Sequence, residues 1–425
     1  MRFRALFRSS AALPILPVAL AAAVFYYFVN GRDQVLYVPI ASAPMLVAAP
    51  VATVYPVAYA LAAATGAWQG ARLNRDGVWG IAPLRQSATV IATALTPVVA
   101  MAWLMFLVPV VAAFVERPTM PTWDSPQPLF LGLALSASWA VIGFTVGRNV
   151  SPIIAAPILA CAVFYLVSVT VAVDPMFVRH MSGYYLDGPG FGESATIDSM
   201  VAQVLPTAGL ATAVALLWSR LPKLVTLVTG GALILVSTFA SYSIVKDWDY
   251  NPSMNAGNVP LTCAGERPKV CLPVQAGGDL DEVRRTVHSA YKVLTAYGVT
   301  TTVPETVTER SIYGRFDPPA IDGTRYVFLL QGHKNGSVVG PLLVEEVRFG
   351  CDADDHLAYR VVQMWLGEKL GITRTFESYA GEDPYYTRKQ HADLMRTVAT
   401  VSAKPDPAQR KWFQRIKSKA CEDAK

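Results

Sequence analysis

Seven stretches of this chain are long, apolar and free of Asp, Glu, Lys and Arg: residues 11–29, 40–64, 88–115, 129–146, 152–173, 201–218 and 224–245. An α-helix needs roughly 20 apolar residues to cross the hydrocarbon core of a bilayer. A helix also satisfies its own backbone polar groups, which an apolar solvent demands. The spacing therefore predicts seven spanning helices, the sixth being the shortest. The second stretch carries Pro44, Pro50 and Pro56, which predicts a kinked helix supported by its neighbours.

The charges divide the chain. Residues 1–245 hold 12 Lys and Arg with 8 Asp and Glu, whereas residues 246–425 hold 24 and 23. The first part suits lipid and the second suits water. The expected fold class is an α-helical transmembrane bundle of about seven spans plus a C-terminal extracytoplasmic α+β domain. Its expected parts are a helical domain over 1–245, a linker over 246–260 rich in Asn, Gly and Pro, and a domain over 261–425. With both signs almost balanced, the charge gives no support for nucleic-acid binding, which needs a basic stripe.

Orientation follows from the basic residues, which stay on the cytoplasmic side. With the N-terminus inside, Arg2, Arg4, Arg8, Arg72, Arg75, Arg85, Arg148, Arg220 and Lys223 lie inside, nine against the three outside, Arg32, Arg117 and Arg179. An odd number of spans then places residues 246–425 outside the cytoplasm, in a cell membrane protein that is multi-pass. The first stretch also resembles a signal peptide, but bulky residues at 25–28 (FYYF) stand where a cleavage site wants small ones. An uncleaved span is expected.

Four of the five cysteines, Cys263, Cys271, Cys351 and Cys421, fall in the part placed outside. In an oxidising compartment an even set predicts disulfides. Three pairings are open; closeness in sequence favours Cys263–Cys271 with Cys351–Cys421. Bridges of this kind stabilise by about 2–4 kcal/mol each. Zinc ligation is disfavoured, since no C-x-x-C or H-x-x-x-H spacing occurs. Cys161 lies within the fifth stretch as a small packing residue.

In the C-terminal part, apolar residues three or four apart predict helices over 279–297 and 354–370, with further helices over 386–401 and 406–420. β-Branched and aromatic content predicts strands over 299–307, 326–331 and 338–347. On such a strand the adjacent Glu345 and Glu346 would face opposite sides, which removes them as a catalytic pair. Asp352, Asp354 and Asp355 beside His356 read as acids at a helix start. No H-E-x-x-H, G-x-S-x-G or P-loop pattern occurs. Ser289-Ala290-Tyr291-Lys292 matches S-x-x-K, but Ser289 falls mid-helix and Lys334-Asn335-Gly336 departs from K-T-G. With no catalytic motif, the reading favours a non-enzyme while leaving a membrane enzyme acting outside as an alternative, and no cofactor or metal is expected. The loop over 174–200 reads as a connection, or as a lip over a path through the bundle. Charge-free spans also argue against proton- or ion-coupled transport.

The proline-rich second span and the segment Gly66-Ala67-Trp68-Gln69-Gly70-Ala71-Arg72-Leu73-Asn74-Arg75-Asp76-Gly77 resemble actinobacterial permeases of the type-2 ABC exporter class. The opening Cys263…Pro268-Lys269-Val270-Cys271-Leu272-Pro273 is similar to membrane proteins that accompany them. The chain differs from that class in having seven spans rather than six and an outside C-terminus. The resemblance implies a permease subunit of an export system, powered by a separate cytoplasmic ATPase. The segment over 66–86 would then be the docking site, with Arg72, Arg75 and Arg85 supplying charge and Trp79 and Ile81 an apolar anchor. The alternative is a membrane-anchored receptor or interaction protein whose outer domain binds a peptide, an envelope component or a partner protein. In either reading the lipid bilayer is the first partner.

Overall fold

The computed structural model describes residues 10–36, 41–81, 87–185, 188–219, 221–334, 337–347, 349, 356–372 and 387–422. The chain forms two compact units, Met1–Ala256 and Gly257–Lys425.

The first unit holds seven helices long and apolar enough to cross a membrane: α1 (Ala12–Leu36), α2 (Ala43–Arg75), α3 (Ser87–Glu116), α4 (Gln127–Asn149), α5 (Pro152–Val169), α6 (Ile197–Leu216) and α7 (Lys223–Val245). α2 is the central element, packed against α3, α4 and α5. Its closest neighbour is α4, and the reason lies in glycine. A Cβ placed on Gly66 or Gly70 of α2, or on Gly143 or Gly147 of α4, would stand less than 3 Å from backbone of the facing helix. Two G-x-x-x-G faces thus meet, which lets the backbones approach and gain dispersion contact that lipid cannot supply.

This packing corrects the expected boundary of the second helix. It runs to Arg75 rather than ending near residue 64. Gly66 and Gly70 look like helix breakers by propensity, yet they are packing points inside the helix. The connection between α2 and α3 is correspondingly short, and residues 82–86 of it lie outside the described residues.

Polar contacts tie the helix ends. The Tyr27 hydroxyl donates to Glu116 at 2.9 Å, beside a π-helical turn over Tyr27–Gly31, and Arg32 Nε pairs with the same carboxylate at 2.9 Å. At the opposite end Ala11 N–H donates to Gln69 (3.2 Å) and the Asn74 amide donates to the Arg148 carbonyl (3.1 Å). Arg72 and Arg75 close α2, and Arg148 lies in the last turn of α4.

The expected linker is partly a strand. β1 (Glu193–Ala195) pairs antiparallel with β2 (Met254–Ala256). The loop between α5 and α6 is likewise built in: Tyr59 donates to the Gly183 carbonyl (3.1 Å), and Gln203 accepts from Gly183 N–H (2.8 Å) and donates to the Tyr184 carbonyl (3.2 Å). His180 and Arg179 are buried. His180 Nε2–H donates to the Asp249 carbonyl at 2.8 Å, and the Arg179 guanidinium lies 3.7 Å from the Tyr250 ring centroid. The polar composition of both segments concealed this pairing.

The second unit contains a four-stranded sheet in the order β3 (Leu261–Ala264), β4 (Lys269–Pro273), β5 (Thr306–Glu309), β6 (Thr324–Val327). β3 and β4 are antiparallel; β4, β5 and β6 are parallel. Helix α8 (Leu280–Ala296) makes the crossover from β4 to β5 that parallel strands require. Its apolar residues Leu280, Val283, Val287, Ala290 and Leu294 are buried as their spacing predicts. Gly298 stops it with φ +71°.

The expected strand over 326–331 is split: Tyr326 and Val327 end β6, while Leu329–Lys334 forms the short helix α9. The expected strand over 338–347 is helical, with Val339–Glu346 forming α10. Valines and leucines at 338, 339, 342, 343 and 347 are all buried; that 3–4 spacing outweighs β-branched propensity. The expected strand over 299–307 is reduced to its final residues, which open β5.

Three further helices, α11 (His356–Lys369), α12 (Arg388–Ser402) and α13 (Asp406–Glu422), pack around Trp365. Its ring, fully buried, meets Trp412 and Tyr297, each at a centroid distance of 5.2 Å. Its indole N–H donates to Gln409 Oε1 (2.9 Å), and the Gln409 amide donates to the Lys404 carbonyl (2.6 Å). The buried glutamine thereby fixes the turn between α12 and α13.

Candidate functional site

Residues 299–302, just after α8, have little room for a strand because they bend around the end of that helix. Thr300 is turned inward and its hydroxyl donates to Glu346 at 3.0 Å. The same carboxylate accepts from the Tyr291 hydroxyl at 2.8 Å and pairs with Arg325 Nε at 3.3 Å. Glu346 is nearly buried, with a side-chain exposure of 5%, while Arg325 is 54% exposed. Three donors surround one carboxylate, which is what burial of a charge requires. Burial, reinforced by the adjacent carboxylate, pushes the Tyr291 phenol well above its ordinary pKa. It therefore remains a donor.

Thr300, Arg325 and Glu346, with Tyr291 behind them, belong to one wall of a cleft of about 520 Å³, within the range of ligand sites. Thr324, Arg325 and Tyr326 of β6 line it together, Glu345 and Glu346 close one side, and Arg310 and Asp317 stand beyond β5. Arg310 Nη2 donates to Asp317 at 3.2 Å and its guanidinium lies 5.2 Å from the Phe328 ring centroid. Burial and the hydroxyl of Tyr313 push the Tyr326 phenol up to about 12. Glu345 and Glu346, expected on opposite faces of a strand, instead sit at the end of α10 and line the same cleft. A helix turns about 100° per residue where a strand turns 180°.

The cleft runs beside an edge strand. β6 pairs with β5 alone; on its other side the Thr324 N–H donates to the Ile321 carbonyl of the preceding turn (3.0 Å), and among the described residues no second strand pairs there. Guanidinium donors, carboxylate acceptors and threonine hydroxyls, which do both, alternate around it. That mixture matches a ligand offering donors and acceptors in turn. It is a poor match for a bare phosphate, which would face three carboxylates, and for a bare cation, which would face two guanidinium groups.

The base of β5 is held by a second buried carboxylate. Glu309 is fully buried and accepts from Ser311 N–H (2.9 Å) and Leu330 N–H (2.7 Å). It thus caps the turn after β5 and the start of α9 together. Burial raises its pKa, and the hydrogen bonds from Leu330 and Ser311 only partly offset this.

The cysteines divide. Cys263 and Cys271 are directly opposite on β3 and β4 and form a disulfide. Cys421 is also disulfide-bonded, while Cys351 lies outside the described residues. Cys161 is a free thiol on the exposed face of α5. Among the described residues no group of three or more His, Cys, Asp or Glu could hold a metal ion. Ser289 and Lys292 lie exposed on α8; Asn335, Gly336, Asp352, Asp354 and Asp355 are outside the described residues.

Three of the expected docking residues, Arg72, Arg75 and Trp79, are placed by their side chains. Arg72 and Arg75 lie in the last turn of α2, with Arg72 Nε 3.8 Å from Asp76. Trp79 packs against the helical core and its ring lies 4.4 Å from the Arg148 guanidinium. Ile81 ends the short turn Val78–Ile81, and Arg85 is outside the described residues.

Sequence reasoning missed the cleft because its walls come from four separate segments. The one available signal was the run Thr300-Thr301-Thr302 following a helix stop. Comparison of the chain with protein-family models, with curated proteins and with solved structures found no match.

Proposed function

We propose that the chain is a multi-pass membrane receptor or interaction protein, with α1–α7 in the bilayer, the N-terminus in the cytoplasm and the C-terminal unit outside it. The C-terminal unit binds an extended peptide segment of a partner, which adds to the sheet along β6. The observation that carries this reading is the coincidence of an edge strand with a polar cleft: three consecutive residues of β6, the last strand of the sheet, line it. In strand addition, main-chain hydrogen bonds supply affinity and flanking side chains supply selection. Nine basic residues against three on alternate sides of the spans support the orientation. The export-permease reading, with its separate ATPase, rests on the sequence resemblance alone.

The test uses full-length protein in lipid nanodiscs, screened against a phage-displayed library of random 12-residue peptides. Selected peptides should bind saturably, as read by fluorescence anisotropy. N-methylation at alternate backbone nitrogens should weaken them at least tenfold, and so should Arg325→Glu. If N-methylated peptides bind as well as the parents, or no peptide binds saturably, the strand-addition reading is wrong.

A further inference from the structure

The C-terminal unit is nearly neutral as a whole, but its charge is polarised along the sequence. Residues 387–425 hold ten Lys and Arg against four Asp and Glu, a net +6, while residues 246–386 hold fourteen against nineteen, a net −5. Much of the excess sits on one helix. In α13, Gln409, Trp412, Phe413 and Ala420 are buried against the rest of the unit. Arg410, Lys411, Arg415 and Lys419 are exposed. At about 100° per residue these four fall within one half of the helix circumference, opposite the buried set. Among the described residues none of the four lies within ion-pair distance of a carboxylate. The first-turn acid, Asp406, accepts instead from the Tyr297 hydroxyl at 2.9 Å. Four neighbouring cations outside ion-pair distance of a carboxylate repel one another, weakly where water and salt screen them, and an anionic surface facing them would turn that repulsion into attraction.

We infer that this face of α13 rests on anionic phospholipid headgroups. The inference depends on the membrane assignment proposed above, and not on the peptide cleft. Its second support is connectivity. β2 ends at Ala256, paired to the loop between α5 and α6, and the second unit begins at Gly257. With so little chain between them, the membrane that holds α6 and α7 stands at high effective concentration for the attached unit. Basic clusters are drawn to anionic lipid, and the attraction fades beyond a Debye length. The acidic remainder of the unit is repelled by the same surface, so the polarisation also sets which side approaches it.

The experiment is hydrogen–deuterium exchange on full-length protein in two sets of nanodiscs, pure phosphatidylcholine and a 70:30 mixture with phosphatidylglycerol. Peptides covering 406–422 should exchange at least tenfold more slowly in the anionic discs, and 0.5 M NaCl should abolish the difference. The variant R410E/K411E/R415E/K419E should exchange alike in both, with α8 peptides unchanged as a check on folding. If charge reversal unfolds the unit, the four-Gln variant replaces it and should behave the same way. Equal exchange of wild type in both discs overturns the inference while leaving the membrane assignment intact. Equal protection in neutral discs by soluble polyphosphate would show a site for free anions rather than a lipid surface, and also overturns it. Protein that does not enter nanodiscs at all removes the membrane assignment and this inference together.

Discussion

Tyr291, in the second turn from the end of α8, donates a 2.8 Å hydrogen bond to Glu346 at the end of α10. Through that bond the crossover helix is joined to the wall of the cleft, and Arg325 is held by the same carboxylate. Tyr291→Phe removes one of the three donors around a buried charge. The expected cost is about 1 kcal/mol of stability, since Thr300 and Arg325 remain. Glu346→Ala is expected to cost more, because it leaves the Tyr291 hydroxyl without its acceptor. Thermal unfolding of the two variants checks the order; Tyr291→Phe at the wild-type melting temperature would show that the bond contributes nothing.

The α2–α4 contact makes a sharper prediction. Gly143→Val and Gly147→Val each force a side chain into facing backbone, where overpacking costs about 1–3 kcal/mol or more. Gly231→Ala on α7, where an added Cβ meets nothing within 4 Å, serves as the control. Detergent-solubilised Gly147→Val should melt well below wild type, and Gly231→Ala should not. Equal melting of all three would mean that the glycines do not set the helix separation.

Glu309 predicts a pH dependence. Its pKa in the folded protein is raised by burial, so the folded state holds the proton more tightly than the unfolded chain does. The stabilising contribution is then fully present below the ordinary glutamate value and is lost as pH rises through the raised one. The stability difference between wild type and Glu309→Gln should therefore shift against wild type as pH rises from 4 to 7. A difference that stays constant over that window would place the carboxyl in a solvated setting.

Topology and disulfides are tested in the same cells. A phosphatase fused after Lys425 should be active and a fluorescent protein there dark, if the C-terminal unit is outside. Cys263 and Cys271 should resist alkylation before reduction, as their cross-strand bridge requires, and mass spectrometry of unreduced peptides should find the second bridge as Cys351–Cys421. A dark, inactive pair of fusions would report poor expression only, whereas a fluorescent and inactive pair reverses the orientation.

The sequence by itself determined what depends on local composition and period. Seven apolar runs became seven helices of spanning length, because the hydrophobic content of about 20 consecutive residues is a local property. Helix α8 and its glycine stop followed from 3–4 spacing, and the Cys263–Cys271 bridge from proximity. What only the tertiary structure decided is where distant segments meet. Gly66 and Gly70 fall beyond the apolar stretch 40–64 and read as part of a cytoplasmic connection, until the backbone of α4 is seen against them. The segment 338–347 read as a strand because valine favours strands, until burial of one helical face outweighed that preference. Residues 254–256 read as linker until β1, some sixty positions earlier, paired with them. The cleft is the extreme case. Thr300, Arg310, Arg325 and Glu346 are ordinary residues in ordinary places along the chain. They become a site only because parallel strands with a helical crossover bring their segments to one edge of the sheet, and long-range pairing of that kind leaves no periodic trace in any single stretch of sequence.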